Sequence, residues 1–265
     1  MSYLRIFQVD AFTDRLFGGN PAAVVPLEDW LPDELMQKIA AENNLSETAF
    51  IVEEAAGYRI RWFTPGAEVP LCGHATLATA FVLFQHYLPD HESVEFQSAS
   101  GPLSVTRRAD GWLEMNFPNL AFNSVEEWPA LLSEGLGIGP KPCFHVPNDT
   151  NYMVILDSEA DVLAIEPDLR ALTRLGNQGV IVTAPGNDSD FVSRYFAPGV
   201  GVDEDPVTGS IHSVLTPYWA ERLGRQTLLA RQLSSRGGVL KCELRGERVA
   251  IAGQAVAYMD GRLTL

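Results

Sequence analysis
One stretch of this chain occurs twice. Arg61-Trp62-Phe63-Thr64-Pro65-Gly66-Ala67-Glu68-Val69 returns 133 positions later as Arg194-Tyr195-Phe196-Ala197-Pro198-Gly199-Val200-Gly201-Val202, with five of nine positions identical and a sixth keeping an aromatic. At the same offset residues 36–44 fall on residues 169–177, and both copies read as an amphipathic helix, an Asn-containing stop and then an apolar strand. A period this long calls for two duplicated half-domains rather than a solenoid. A chain of 265 residues suits two halves of about 120 to 130 residues each. Positions where the copies diverge are the specialised ones. Cys72 faces Asp205 and Glu47 faces Val180, which points to one site shared between two similar halves.

The local patterns expand this into elements. Residues 3–10 alternate as a half-buried strand, Gly18-Gly19-Asn20-Pro21 is a sharp turn, and residues 22–25 form a second strand. Pro32-Asp33-Glu34 opens a helix with Leu35, Ile39 and Ala40 on its apolar side. Strands over 48–52 and 58–63 precede an Ala- and Leu-rich helix over 72–83. A meander over 94–117 then turns at Ser100-Gly101 and Asp110-Gly111. The Pro-rich segment 118–129 is the expected connection. The second half repeats the order: a strand over 151–156, a helix over 169–175, strands over 179–184 and 191–196, and a helix over 209–223. Residues 247–265 give two strands around a turn at Asp260-Gly261. The predicted fold class is α+β, each half a mostly antiparallel sheet wrapped round a central helix. The halves run over 1–118, with the last strand at about 254–265 able to join them, and over 119–253.

Charge and cysteine usage narrow the function. A net charge of −15 argues against a nucleic-acid surface. Arg222, Arg225, Arg231 and Arg236 read as a solvated face. Three cysteines without a CxxC pair offer no disulfide framework, and no apolar run approaches a membrane span. A reducing cytoplasm, with no membrane role, is the expectation. Gly135-Leu136-Gly137-Ile138-Gly139 is followed by Pro140 and Pro142 instead of a helix, so it reads as a loop and not a dinucleotide site. The side chains of Asp203-Glu204-Asp205 diverge without calcium-loop spacing.

Three motifs remain. Pro70-Leu71-Cys72-Gly73-His74-Ala75-Thr76 and Asp205-Pro206-Val207-Thr208-Gly209-Ser210 both run from a loop into a helix start, where unpaired N–H groups and the helix dipole make an anion site. Two such starts face to face would hold a small carboxylate. Equally, Asp205 and Ser210 could be simple helix caps, and His74 a satisfied structural histidine. Glu47, in Asn44-Leu45-Ser46-Glu47-Thr48-Ala49-Phe50, enters an apolar strand. Desolvation there would raise its pKa toward the range useful for proton transfer, the alternatives being a cap or a surface charge.

Together with Val9-Asp10-Ala11-Phe12-Thr13, Gly19-Asn20-Pro21-Ala22 and Phe63-Thr64-Pro65, these motifs resemble, nearly end to end, the PhzF-like isomerases of phenazine biosynthesis. The resemblance implies the diaminopimelate-epimerase fold and a homodimer. It implies Glu47 as general acid/base, with Gly73, His74, Asp205 and Ser210 binding and orienting substrate. Asn20, Ser46, Thr208 and Gly209 lie in the same motifs and are carried with them as substrate-binding. The related epimerases and proline racemases use a thiol on each side of the substrate carbon. Here one thiol position is kept as Cys72 and its partner is Asp205, a poorly matched pair for proton removal on one face and return on the other. The expected reaction is therefore an isomerisation in which Glu47 carries a proton from one carbon to another, resembling trans-2,3-dihydro-3-hydroxyanthranilate isomerisation. It needs no metal, flavin, nicotinamide or pyridoxal. The alternatives are an epimerase or racemase using Cys72, and a non-catalytic carboxylate-binding protein.

Overall fold
The computed structural model describes residues 3–265 apart from Ala56 and Asn148. The chain divides into two compact units, Met1–Asn116 with Ile251–Leu265, and Phe117–Ala250.

The first unit contains β1 (Tyr3–Ala11), β2 (Asn20–Leu27), α1 (Asp33–Asn43), β3 (Glu47–Glu54), β4 (Gly57–Phe63), β5 (Glu68–Val69), α2 (Gly73–His86), β6 (Ser93–Ser98), β7 (Gly101–Arg107) and β8 (Leu113–Pro118), whose end passes into the second unit. The C-terminal strand Ala255–Thr264 pairs antiparallel with β1 over its whole length. From there the pairing runs β1–β2 antiparallel, β2–β3 parallel, β3–β4 antiparallel, β4–β6 parallel and β6–β7 antiparallel. α2 packs against β1, β2, β3, β7 and the C-terminal strand. Its residues His74–Ala80 and Val82–Phe84 are all buried, as they must be in a helix that is apolar or small on every side. α1 covers another face with Met36, Ile39 and Ala40 inward, joining Phe50 and Phe63 in a separate apolar cluster. Asn44, left-handed at φ 49°, stops α1 and turns the chain into β3.

The second unit contains β9 (Asn123–Ser124), α3 (Ala130–Leu136), β10 (Cys143–Val146), β11 (Asn151–Ile155), α4 (Glu159–Leu163), α5 (Leu169–Thr173), β12 (Gly179–Pro185), β13 (Phe191–Phe196), α6 (His212–Leu223), β14 (Thr227–Gln232), β15 (Gly238–Arg245) and the start of β16 (Arg248–Gly253), whose end from Ile251 belongs to the first unit. The ladder runs β10–β11 antiparallel, β11–β12 parallel, β12–β13 antiparallel, β13–β14 parallel and β14–β15 antiparallel. This is the order of senses found from β1 to β7, with helices inserted at the corresponding parallel crossovers. The duplication legible in the sequence is thus a duplication of topology, and the fold is α+β.

Several local expectations are corrected. Asp260-Gly261 is not a turn: the C-terminal strand runs through it, Ile6 opposite Gly261 and Phe7 opposite Asp260, and a bulge opposite Gln8/Val9 takes up the irregularity. A continuous ladder with β1 outweighs the local turn propensity of Asp-Gly. The second central helix starts at His212, not Gly209, because residues 209–211 form a turn. Gly135 and Leu136 end α3 rather than lying in a loop, with Gly137 as its left-handed cap at φ 69°. A Cβ on Gly135 would stand 2.2 Å from Leu172 Cδ2, so glycine permits α3 and α5 to touch.

Candidate functional site
The first unit brings three of the expected residues, and Cys72, into one buried cluster. Glu47 is the first residue of β3, delivered there by the Asn44 stop and tied by the adjacent Asn43 Nδ2 to Thr48 Oγ1 hydrogen bond of 3.1 Å. Cys72 is the N-cap of α2 and offers no side-chain cap. Gly73 and His74 follow as the first helical residues. His74 Nε2 lies 3.0 Å from Glu47 Oε2, with side chains 5% and 15% exposed. On the other edge of the ring, Nδ1 is 3.2 Å from the Asn20 side-chain amide and 3.5 Å from Cys72 Sγ. Asn20 is fully buried, at the start of β2, while Ser46 is half-buried in the bend just before Glu47.

Burial alone would push the His74 pKa down, but the neighbouring Cys72 sulfur and Glu47 carboxylate raise it well above its usual value. Burial, reinforced by repulsion from Glu47, pushes the Cys72 thiol up to about 11. The thiol is thereby uncharged at neutral pH, which leaves the Glu47 carboxyl as the acidic neighbour of the ring. A doubly protonated ring wants an acceptor at each nitrogen. Glu47 faces Nε2, whereas Nδ1 faces the Asn20 amide nitrogen at 3.2 Å, a donor to which that ring nitrogen is the acceptor. His74 thus stands at ion-pair distance from the candidate base, without hydrogen-bond alignment between Nε2 and Oε2.

The second unit holds Asp205, Thr208, Gly209 and Ser210 in one loop ahead of α6. The Asp205 N–H donates to the Tyr195 carbonyl at 3.1 Å, and its Oδ2 accepts from the Thr208 hydroxyl at 2.5 Å. Glu204 pairs instead with Arg194 at 2.7 Å, so these adjacent carboxylates do diverge. Neither Asp205 nor Ser210 caps α6, whose N-cap is Ile211. The first helical bond, His212 N–H to Gly209 carbonyl, is 3.0 Å, which sets the N–H groups of Gly209, Ser210 and Ile211 ahead of it in the anion-binding position. His212 is neutral: burial pulls its pKa down to about 4 against the Thr208 carbonyl, which accepts from Nδ1 at 2.8 Å.

Gln232 was not anticipated, yet it shapes this loop. Fully buried at the end of β14, it accepts from the Thr208 N–H at 2.8 Å and donates to the Asp205 carbonyl at 2.9 Å and Thr208 Oγ1 at 3.1 Å. Its only local signal is that it occupies the inward slot after Leu228 and Ala230 in an alternating strand.

Comparison with known proteins matches residues 9–261 to the family described as phenazine biosynthesis-like protein, PhzC-PhzF. An uncharacterized isomerase of Pseudomonas aeruginosa is 53% identical over 262 residues, covering 99% of both chains. A human phenazine biosynthesis-like domain-containing protein is 40% identical over 289 residues, covering 98% of this chain and 99% of its own. The crystal structure of a PhzF-family protein from Enterococcus faecalis superposes with a TM-score of 0.94 at 46% identity, over the whole of both chains. A hydroxyproline epimerase from Agrobacterium vitis, 11% identical with a TM-score of 0.65 over 98% of this chain and 92% of its own, shares the fold.

Proposed function
The chain belongs to the phenazine biosynthesis-like family, PhzC-PhzF, and is an isomerase; from that premise we propose that Glu47 moves a proton between two carbons of a small, cyclic or unsaturated amino- or hydroxy-carboxylic acid. The observation that carries this reading is the buried Glu47–His74 pair at the start of β3 and α2. A surface charge or a helix cap would not be held 3.0 Å from a buried imidazole ring. Glu47 takes the proton from one substrate carbon, becomes the neutral acid, and returns the same proton to another carbon. His74 faces Oε2 and leaves Oε1 for the transfer, while Asn20 fixes the ring. The backbone around Gly73 binds the carboxylate group of the substrate. Ser46 adds a hydroxyl beside the base.

This cycle needs no cofactor. The three free, buried cysteines support a reducing, cytoplasmic setting, and the family resemblance supports a homodimer. The family relationship makes trans-2,3-dihydro-3-hydroxyanthranilate the first compound to try. An epimerase using Cys72 is disfavoured by its thiol, pushed up to about 11 by burial. Such a group is a poor base at neutral pH.

The test is incubation with a panel of small cyclic and unsaturated carboxylic acids in D2O, read by mass spectrometry and NMR. We expect a shifted double bond or proton position, with Glu47-dependent deuterium at one carbon. Inversion at a single carbon that is abolished in Cys72→Ala would replace this reading with the epimerase one.

A further inference from the structure
Three kinds of donor meet at the start of α2. A Glu47 carboxylate oxygen, the Cys72 sulfur and a His74 ring nitrogen lie within 4.8 Å of one another, and no other such group of His, Cys, Asp and Glu occurs among the described residues. Zn2+ binds nitrogen and oxygen at about 2.0–2.2 Å and sulfur at about 2.3 Å, so its tetrahedral ligands stand roughly 3.3–3.7 Å apart. Here the spacings are 3.0 Å from Glu47 Oε2 to His74 Nε2 and 3.5 Å from Cys72 Sγ to His74 Nδ1. These two spacings lie on opposite edges of the ring, so binding one ion through Nε2 requires the Cys72 side chain to swing toward the Glu47 edge.

We propose that a thiophilic divalent cation of the Zn2+ class binds Glu47, Cys72 and His74 in place of the Glu47–His74 ion pair, and that it inhibits the protein by occupying the carboxylate. The donor set selects the cation. Thiolate and imidazole favour Zn2+ and its softer neighbours, whereas Mg2+ and Ca2+ want oxygen alone. His74 coordinates through Nε2, the nitrogen facing Glu47. Nδ1 lies 3.2 Å from the Asn20 amide nitrogen, and on metal binding that amide turns to present its oxygen to Nδ1–H, the outer partner a metal-bound imidazole requires. Coordination releases to solvent the thiol proton and whatever proton the coordinating ring nitrogen carries, and leaves the fourth position to water. The site stands on the cluster alone, while its effect on turnover rests on Glu47 being the base.

The test begins with chelator-stripped, full-length protein titrated with Co2+. We expect a thiolate-to-cobalt charge-transfer band in the near ultraviolet that saturates at one equivalent and is erased by Zn2+. Cys72→Ala should remove the band and weaken Zn2+ binding, measured against a chelating dye, by about tenfold or more. His74→Asn should weaken binding to a similar degree, and Glu47→Gln should weaken it while keeping the band. Circular dichroism establishes that each variant is folded; should Cys72→Ala fail to fold, the other two variants decide. Cys143→Ala and Cys242→Ala should leave the titration unchanged. Absence of the band, or a band that survives Cys72→Ala, overturns the site. Full turnover at saturating Zn2+ overturns the inhibition. An apoprotein that shows the band but turns over none of the carboxylic acids counts against the function proposed above and leaves the metal site standing.

Discussion

At the scale of single residues, the Glu47–His74 pair at the start of α2 makes the sharpest claims. Glu47→Gln preserves size and polarity beside His74, but it cannot cycle a proton. Turnover should fall by about 10² to 10⁴, the usual cost of losing a general acid/base. Substrate affinity by calorimetry should change little; a collapse of affinity together with rate would make Glu47 a binding residue. Cys72→Ala should keep most of the turnover, because its thiol is protonated and its sulfur does not bridge Glu47 to substrate; an inactive, folded variant contradicts that. A second carboxyl makes a claim about stability. Burial pushes Asp149 up to about 6, although Asn151 Nδ2 donates to its Oδ2 at 2.7 Å and partly opposes this. An acid with a raised folded-state pKa costs stability once the unfolded chain ionises, beginning near its ordinary value of about 3.9, and the cost levels off above the folded value. Asp149→Asn should therefore leave Tm nearly unchanged near pH 3.5. The gain should grow between about pH 4 and pH 6 and stay constant above. A gain that shrinks as pH rises would show the carboxyl to be stabilised, not penalised, by its surroundings.

At the scale of elements, Gln232 is to the Asp205–Ser210 loop what His74 is to Glu47. Gln232→Leu strands the Thr208 N–H and the Asp205 carbonyl, and each buried polar group left unpaired costs about 1–3 kcal/mol. Denaturant melts should register that loss. Gln232→Glu keeps the acceptor for Thr208 and removes the amide donor. If the loop binds substrate, that variant should raise KM well before it lowers kcat; equal loss in both would mark a purely structural residue. Gly179→Ala should be destabilising, because a Cβ there would stand 2.4 Å from both Asn151 Oδ1 and the Tyr195 hydroxyl, which are joined by a 3.0 Å hydrogen bond. The same elements show what a sequence can disclose. Helix α1, its Asn44 stop and strand β3 were legible because period, acidic first turn and cap are local signals. Asp260-Gly261 misled because its partner strand lies at the other end of the chain, where a local turn rule has no view. Likewise, nothing near Glu47 announces His74. Their meeting depends on α2 packing against β3, and Gln232 meets Thr208 only once β14 and the loop are both in place.

At the scale of the whole molecule, the two units repeat one topology but differ in how the chain supplies them. The second is a single continuous stretch, Phe117–Ala250, while the first takes its final strand from Ile251–Leu265. A ribosome making this protein therefore finishes every residue of the second unit before it delivers the strand that pairs with β1 from Tyr3 to Ala11. During that interval β1 has β2 on one side and an open edge on the other, the kind of unpaired edge that recruits foreign strands. Translation at about 5–20 residues per second makes the wait a matter of many seconds. A nascent chain arrested after Ala250, with a linker long enough to clear the exit tunnel, should show protease cleavage within β1 and binding by holdase chaperones. Release of the full chain should abolish both. Equal protection of β1 before and after the last residues emerge would mean that the first unit folds without its closing strand. The place most exposed to misassembly is then β1, held open until the strand that closes it arrives.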